Sequence, residues 1–571
     1  MTEHVHFRFH RIGKVAARQV GIMKTILLGI KTRILLEIKK RIFQCFMKRR
    51  GLCMWEVGVS LAPLIIIFIL LFLLKQTVVR AGLGAYVFTV LLTFVAPSFT
   101  VSTADILTST IQGILISSIV AYVLLFGILL FHLMKEAGAI EAIATFVSNA
   151  TQDPVRQVLL LVVAFSPLVE SASGFGIAII VVAPIMVALG FSPFKATMLA
   201  LVSLSAVPWG ALATGTVIGA TISGIPLHDM GSGSALLSVP TFFYFAFVAV
   251  YLANGWQGIK ARWAEVIAVA ASLSVSVWLF STYVSVELAG VFAALVAIGI
   301  QLLFIRLSHG QTCGQKLKQN KALLSGEAQS EISVAEATEK NMQPKHHVQN
   351  IVLALSPYLF LTLLLLLSRL VPFVEHFLRS QWVIDLPAYS FTLPVLYSPG
   401  FILLLACLFT ILIFQTRLPT IRTACRHTLK QWVPVVLTTI FFVATSEVMF
   451  VSGMTSTLAQ ATAAAFGTAF MFLSPLLGGM GGFLTGTNTA ANAMFIHLQM
   501  QTAQQLDISA ELFAYANNVS SAHLTMASPS RILLGASVCG IPSAENELLA
   551  KTILIALGSL VLVAGGMILL S

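Results

Sequence analysis

SPLVESASGFG (Ser166 to Gly176) and SPLLGGMGGFLTGTN (Ser474 to Asn488) interrupt two otherwise apolar regions with proline, glycine and small polar residues. The first ten residues of the two stretches align at an offset of 308. A second pair, SLSAVPWGALATGTVIGATISGIP (Ser203 to Pro226) and VSSAHLTMASPSRILLGASVCGIP (Val519 to Pro542), aligns without gaps at an offset of 316, with eight identities in 24 positions. A shared Ser-Pro-Leu, a shared Gly-Phe and a shared Gly-Ile-Pro in the same order point to an internal duplication. Interrupted helices at matching places in two halves are the best sequence pointer to the binding site of a transporter. If each interrupted region crosses the membrane once, the repeats are parallel. A re-entrant hairpin in one half inverts them, and the sequence leaves both arrangements open.

Around these stretches the chain is apolar enough to live in lipid. Of its 571 residues 57% are hydrophobic and 10% are charged, against about 25% charged in a soluble chain. A helix needs about 20 apolar residues to cross the bilayer core. Spans are expected near 55–74, 81–97, 111–134, 236–254, 263–283, 286–307, 349–370, 395–416, 432–452 and 548–570. Regions 157–224 and 454–540 read as broken helices or re-entrant hairpins. The expected fold is an all-α polytopic membrane protein of about 12–14 transmembrane segments in two related halves. The halves are 51–307 and 349–571, joined by a polar linker, 308–348.

The net charge of +12 belongs almost wholly to residues 1–50. They hold 13 Lys and Arg against Glu3 and Glu37, a local +11, leaving +1 for the rest. This tail is too polar to span, lacks the pattern of a secretory signal, and suits a cytoplasmic extension or a helix on anionic lipid. The composition excludes a soluble enzyme, a disordered chain or a nucleic-acid-binding domain as the main body. The basic tail, Arg417, Arg422, Arg426 and Lys430, and the turn at Lys260 and Arg262 mark the cytoplasmic face. Segment 371–394, with Arg379 as its one basic residue, is expected outside. The expected location is the plasma membrane (a bacterial inner membrane), multi-pass, with the N-terminus cytoplasmic. The six cysteines form no CxxC and suggest neither disulfides nor a metal site. No cofactor is expected, and the sequence is silent on oligomeric state.

Backbone that leaves the helix inside the bilayer survives only against protein or a water-filled cavity. The expected substrate site is therefore built from Ser171, Ser173, Gly174 and Gly176 in the first half. Thr485, Gly486, Thr487, Asn488 and Asn492 supply the second half, after a run of exposed backbone donors at Gly478, Gly479, Gly481 and Gly482. A half-helix N-terminus there is a natural anion site. Small residues that merely let helices pack closely are the plainer reading. Glu170, an acid at the first break, is the expected proton carrier, with a hinge carboxylate bonded to the turn backbone as its plainer role. Glu447, within a span, is a second proton-coupling candidate. Arg531 at the second-half break is the expected partner of a carboxylate. His523 on the same segment is a further candidate, and Trp209 either walls the pocket or lies at the interface. Two close carboxylates, a His-rich metal motif or a Ser/Lys pair are not found, so an enzyme is not expected.

At these residues the chain resembles the L-lactate permease family. The similarity runs over about 55–570. It includes Glu170 through Gly176, Gly190-Phe191-Ser192-Pro193, Ser452-Gly453-Met454-Thr455 and Ser474-Pro475-Leu476-Leu477-Gly478. It continues through Phe483-Leu484-Thr485-Gly486, Asn492-Ala493 with Phe495, Ala516-Asn517 and Ser528-Pro529. The chain departs from the family pattern at Ser171, at Ser203 to Ala206, at Asn488 in place of an acid, and at Thr525 in place of a lysine. The resemblance implies a secondary active transporter that imports a small monocarboxylate (L-lactate, D-lactate or glycolate) by proton symport, and adds Asn517 to the site. The alternative is a carrier of another organic or inorganic anion, or one with Na+ coupling through carbonyls near Gly486.

Overall fold

The computed structural model describes residues 54–323, 351–389 and 391–571. The basic tail and most of the linker lie outside the described residues. The first half begins with α1 (Met54–Phe68), α2 (Val78–Val95), α3 (Thr103–Glu136) and α4 (Ala139–Ala150). It continues with α5 (Pro154–Ser173), α6 (Ile177–Ala188), α7 (Pro193–Val202), α8 (Gly210–Ser223), α9 (Leu227–Tyr283) and α10 (Val286–Leu323). The second half comprises α11 (Ile351–Leu370), α12 (Pro372–Ser380), strands β1 (Val383–Leu386) and β2 (Phe391–Pro394), and α13 (Pro399–Ile413). Then come α14 (Leu418–Val451), α15 (Met454–Phe466), α16 (Phe470–Thr485), α17 (Asn488–Gln505), α18 (Ala510–Leu524), α19 (Pro529–Val538) and α20 (Glu545–Leu570).

The protein is an all-α polytopic membrane protein, with 11 stretches among the described residues long and apolar enough to cross a bilayer. One of them, α9, has 57 residues and breaks at Asn254 and Gly255 (φ 59°), so it supplies the two legs expected at 236–254 and 263–283. With Ile177–Ala188 and Pro399–Ile413 as shorter apolar helices, this agrees with the expected range. The two strands form one antiparallel hairpin, Val383 opposite Pro394 and Leu386 opposite Phe391, outside the spans.

Local sequence explains many helix starts. Asp153 accepts the Val155 N–H at 2.9 Å just before Pro154. Thr487 accepts the Ala490 N–H at 3.2 Å, and Ser528 precedes Pro529. Each is a polar cap, and proline at the first helical position loses no hydrogen bond there.

The duplication is visible in the elements. Helices α3 and α14 are each 34 residues long. Each ends at a left-handed glycine, Gly138 (φ 77°) and Gly453 (φ 79°), 315 positions apart. A short helix follows in both halves (α4, α15), then a paired segment (α5–α6, α16–α17), then a helix broken midway (α7–α8, α18–α19). The equivalent helices α3 and α14 pack antiparallel. Gly113 has no room for a Cβ against Ala444, the Ala121 carbonyl accepts the Trp432 indole N–H at 2.7 Å, and His132 lies 3.4 Å from Gln431. The repeats are therefore inverted.

Both paired segments are re-entrant. Gln499 donates to the Ser474 carbonyl at 3.2 Å, the Ser474 hydroxyl donates to Gln499 Oε1, and Gly481 lies against Ala491 and Phe495. Chain before and after Gly486 thus runs side by side. In the first half, α5 begins beside the α9 bend, with Val155 against Gly258 and Arg156 paired to Glu265 at 2.7 Å. Helix α20 runs antiparallel to the first leg of α9, with Gly566 against Leu237 and Gly558 against Tyr244. Lys551 near the start of α20 covers the Phe194 ring of α7 at 4.7 Å. The segment α5–α6 therefore returns to the side it left. In the first half α5 and the broken helix α7–α8 form the interior: the most apolar 18 residues of α5 are all buried and 94% of those of α7–α8, against 22% in α1 and 28% in α2.

Candidate functional site

The two hairpin tips meet. At the first, Gly174 (φ 67°), Phe175 (φ 55°) and Gly176 (φ 76°) are all left-handed, a turn that glycine tolerates without steric cost. Glu170, 1% exposed, folds back over this turn and accepts the Gly176 N–H at 3.1 and 3.2 Å. Gly174 lies against Ala211, where α8 opens with three left-handed residues, Ala211, Leu212 and Ala213. At the second tip Gly486 (φ 69°) ends α16 and Thr487 caps α17. Thr485 Oγ1 donates to the Gly481 carbonyl at 2.8 Å and accepts the Thr487 N–H at 3.2 Å, which fixes the turn.

Arg531, from the first turn of α19, joins the tips. Its Nε and Nη2 donate to the Gly486 carbonyl at 3.3 and 3.1 Å. Its Nη1 lies on Gly176, where a Cβ would fall 1.5 Å away, and has no hydrogen-bond partner although it is buried. Arg531 and Glu170 line one cavity of about 20 Å³ with Thr214, Thr487, Asn488 and Thr489. Glu170 and Arg531 share it without a direct ion pair. The first backbone N–H groups of α17 have no partner within the helix, and they form its positive end. A space of this size holds about one water.

Asn488, Asn492 and Asn517 belong to a buried amide network. Asn488 and Asn492 donate to Asn518 Oδ1 at 2.8 and 2.9 Å. Asn517 donates to Asn492 Oδ1 at 2.9 Å, and Gln499 to Asn517 Oδ1 at 2.7 Å. Asn518 in turn donates to Thr216 and Ser234 at 3.0 and 2.9 Å, and Ser521 donates to Asn488 Oδ1. Asn518, Gln499 and Ser521 escaped the sequence reading. Their signal was present: polar side chains in helices buried inside a membrane protein need partners.

Several expected residues lie elsewhere. Ser171 packs against Gly290, and neither Ser171 nor Ser173 lines the cavity. Buried His523 sits 3.4 Å from Thr241 and edge-on to Phe245. Trp209 is fully buried and donates to Ser281 at 3.1 Å, so it is not interfacial. The reading of Gly478 to Gly482 as exposed donors is corrected. They lie inside α16, with Gly478 against Asn517 and Ser520 and Gly482 against the Ser521 carbonyl. These glycines let helices approach closely, and the break comes at Gly486, one turn beyond the aligned position.

Two larger cavities lie nearby, and the smaller of them reaches both tips. One, about 440 Å³, runs from Lys430 and Gln431 to Thr485, Gly486, Thr487 and Arg531. The other, about 690 Å³, is lined by Gln112, Thr221, Thr392, Glu447, His497 and Gln501, among others. There Glu447 lies 3.6 Å from His497, whose ring stacks on Phe450. Glu447 is thus not part of the Glu170–Arg531 cavity. Among the described residues no cluster suited to a metal ion occurs.

A family model described as L-lactate permease matches residues 57–571. Glycolate permease GlcA of Escherichia coli (strain K12) is 28% identical over 472 residues, covering 76% of this chain and 81% of that one. The L-lactate permease of Salmonella typhimurium is 26% identical over 462 residues, with the same coverages. That of Halalkalibacterium halodurans is 24% identical over 522 residues, covering 87% and 94%.

Proposed function

The chain belongs to the L-lactate permease family, and on that premise we propose that it is a secondary active transporter carrying a small monocarboxylate such as L-lactate, D-lactate or glycolate together with a proton. We read it as a carrier and not an enzyme, placed in a bacterial inner membrane with the linker 308–348 and loop 417–430 on the cytoplasmic side; α1 starts on the opposite face, where Val59 packs with Met449 and Glu56 accepts the Ser98 hydroxyl, so the expected cytoplasmic N-terminus does not go with this orientation. The observation that carries the reading is the free Nη1 of Arg531 in the cavity it shares with Glu170.

Once movement of the hairpins widens this one-water space, the substrate carboxylate takes Nη1 of Arg531 and the N–H groups at the start of α17. Thr487 and Asn488 lie within reach of the rest of the molecule. A deprotonated Glu170 balances Arg531 and leaves no net attraction for an anion. Protonation of Glu170 uncovers the guanidinium, so the proton binds first and the anion follows. An anion and a proton together cross as a neutral pair, which avoids work of about 2.3 kcal/mol per charge per 100 mV. A Na+ ion at the Gly486 carbonyl is disfavoured because Arg531 already occupies it. The 440 Å³ cavity provides an approach from the Lys430 side, and passage to the 690 Å³ cavity on the other side requires the hairpins to move against the surrounding helices.

The test is uptake of labelled L-lactate and glycolate into proteoliposomes under an imposed pH gradient, with and without Na+. Uptake driven by the pH gradient alone is expected. Uptake driven by Na+ alone, or none for any small carboxylate, overturns the reading.

A further inference from the structure

Arg422, Arg426 and Lys430 form a basic run of the sequence. In the structure they lie in the opening turns of α14, four residues apart, all exposed. That spacing stacks them on one helix face at about 6 Å per step. The innermost, Lys430, lines the mouth of the 440 Å³ cavity that ends at Arg531. From Lys430 the wall continues through Pro434 to Thr438, about 12 Å along the helix. Among the described residues, Lys430 and Arg531 are the charged residues of this cavity, and no acid lines it. The cavity on the opposite side has the reverse character, with Glu447 as its charged residue beside His497.

We propose that Lys430 is an anion-receiving residue on one face only: it holds the substrate carboxylate at the cavity mouth before Arg531 takes it, and the Glu447 face has no such station. The inference rests on the anion-transport reading above and adds the residue that makes the two faces unequal. A low-dielectric cavity lined by cations concentrates anions, and added salt weakens the effect.

The experiment measures L-lactate transport by Lys430→Gln in right-side-out and inside-out vesicles, at low and high salt. The half-saturation concentration is expected to rise about threefold to tenfold at the Lys430 face and to stay unchanged at the Glu447 face. The maximal rate is expected to be kept, the difference to shrink in high salt, and Lys430→Arg to restore the wild-type value. Equal shifts at both faces, or a loss of maximal rate alone, overturn the proposal. Arginines 422 and 426 also suit lipid phosphates, so the comparison is repeated in purely zwitterionic lipid. A defect that vanishes there belongs to a lipid headgroup and overturns it as well. If the wild-type chain carries neither L-lactate nor glycolate, the parent reading fails. An active wild type with an unaffected Lys430→Gln variant sinks only the role of Lys430.

Discussion

Glu170 serves two purposes with one carboxylate. It ties the first tip together through the Gly176 N–H and shares the central cavity with Arg531. Glu170→Gln separates them, because the amide oxygen still accepts the Gly176 N–H while nothing titrates. Net proton-driven uptake is expected to disappear while lactate–lactate exchange persists and becomes independent of pH; counterflow between pH 5 and 8 measures this. Arg531→Gln is expected to raise the half-saturation concentration about tenfold or more, given the strength of charge-assisted hydrogen bonds. Gly176→Ala is a subtler probe, since its Cβ would collide with Arg531 Nη1 on a backbone at φ 76°. A raised half-saturation concentration is expected without loss of folded protein by size exclusion. Both charged residues were legible as isolated charges at breaks. Their meeting was not, because they are 361 positions apart and only the inversion of the repeats joins them. Ser171 was misleading for a local reason: successive residues of a helix point about 100° apart, so one turn cannot aim Glu170, Ser171 and Ser173 into the same space.

At the level of elements, the second hairpin depends on Asn518, whose side-chain oxygen accepts from both Asn488 and Asn492. Asn518→Ala strands those two amides in a buried setting, at a cost of about 2–3 kcal/mol. A lower Tm in detergent is expected; an unchanged Tm would show that the network is not under load. The helices and their breaks were legible through periodicity, proline and glycine, and even the equivalence of α3 and α14 follows from the repeat offset. The left-handed turn Ala211–Ala213 was not legible, since it contains no glycine. Gly174 packs against Ala211 at its start, a contact 37 positions away in the chain. The exact place of the second break also escaped, because four packing glycines resemble a break more closely than the single Gly486 does.

For the whole molecule, the inverted halves demand a consistent sidedness. Single cysteines at Trp382 and Arg417, in a chain with its six native cysteines replaced, report it. An impermeant maleimide is expected to label Trp382→Cys in intact cells and Arg417→Cys only after permeabilisation. The opposite pattern reverses the assigned orientation, and labelling of both from one side breaks the topology. The direction of the repeats was beyond the sequence, because it hinges on whether an interrupted stretch turns back, and that is decided by contacts such as Ser474 with Gln499.

Were the two halves identical, exchanging their shapes would leave the energy unchanged, and the carrier would rest open to either face equally often. They are not identical at one turn. Ala211, Leu212 and Ala213 are wound left-handed, at roughly 1–2 kcal/mol each. The matching stretch in the other half, Ala527 to Pro529, has Ser528 at an ordinary φ of −64°. One copy is therefore wound like a spring and the other is slack. A bias of about 1.4 kcal/mol already makes one facing tenfold more populated than the other. If that winding relaxes in the opposite facing, the tilt sets which door is found open at rest and how fast each stroke runs. It leaves the final accumulation ratio untouched, because that is fixed by the gradients across the membrane.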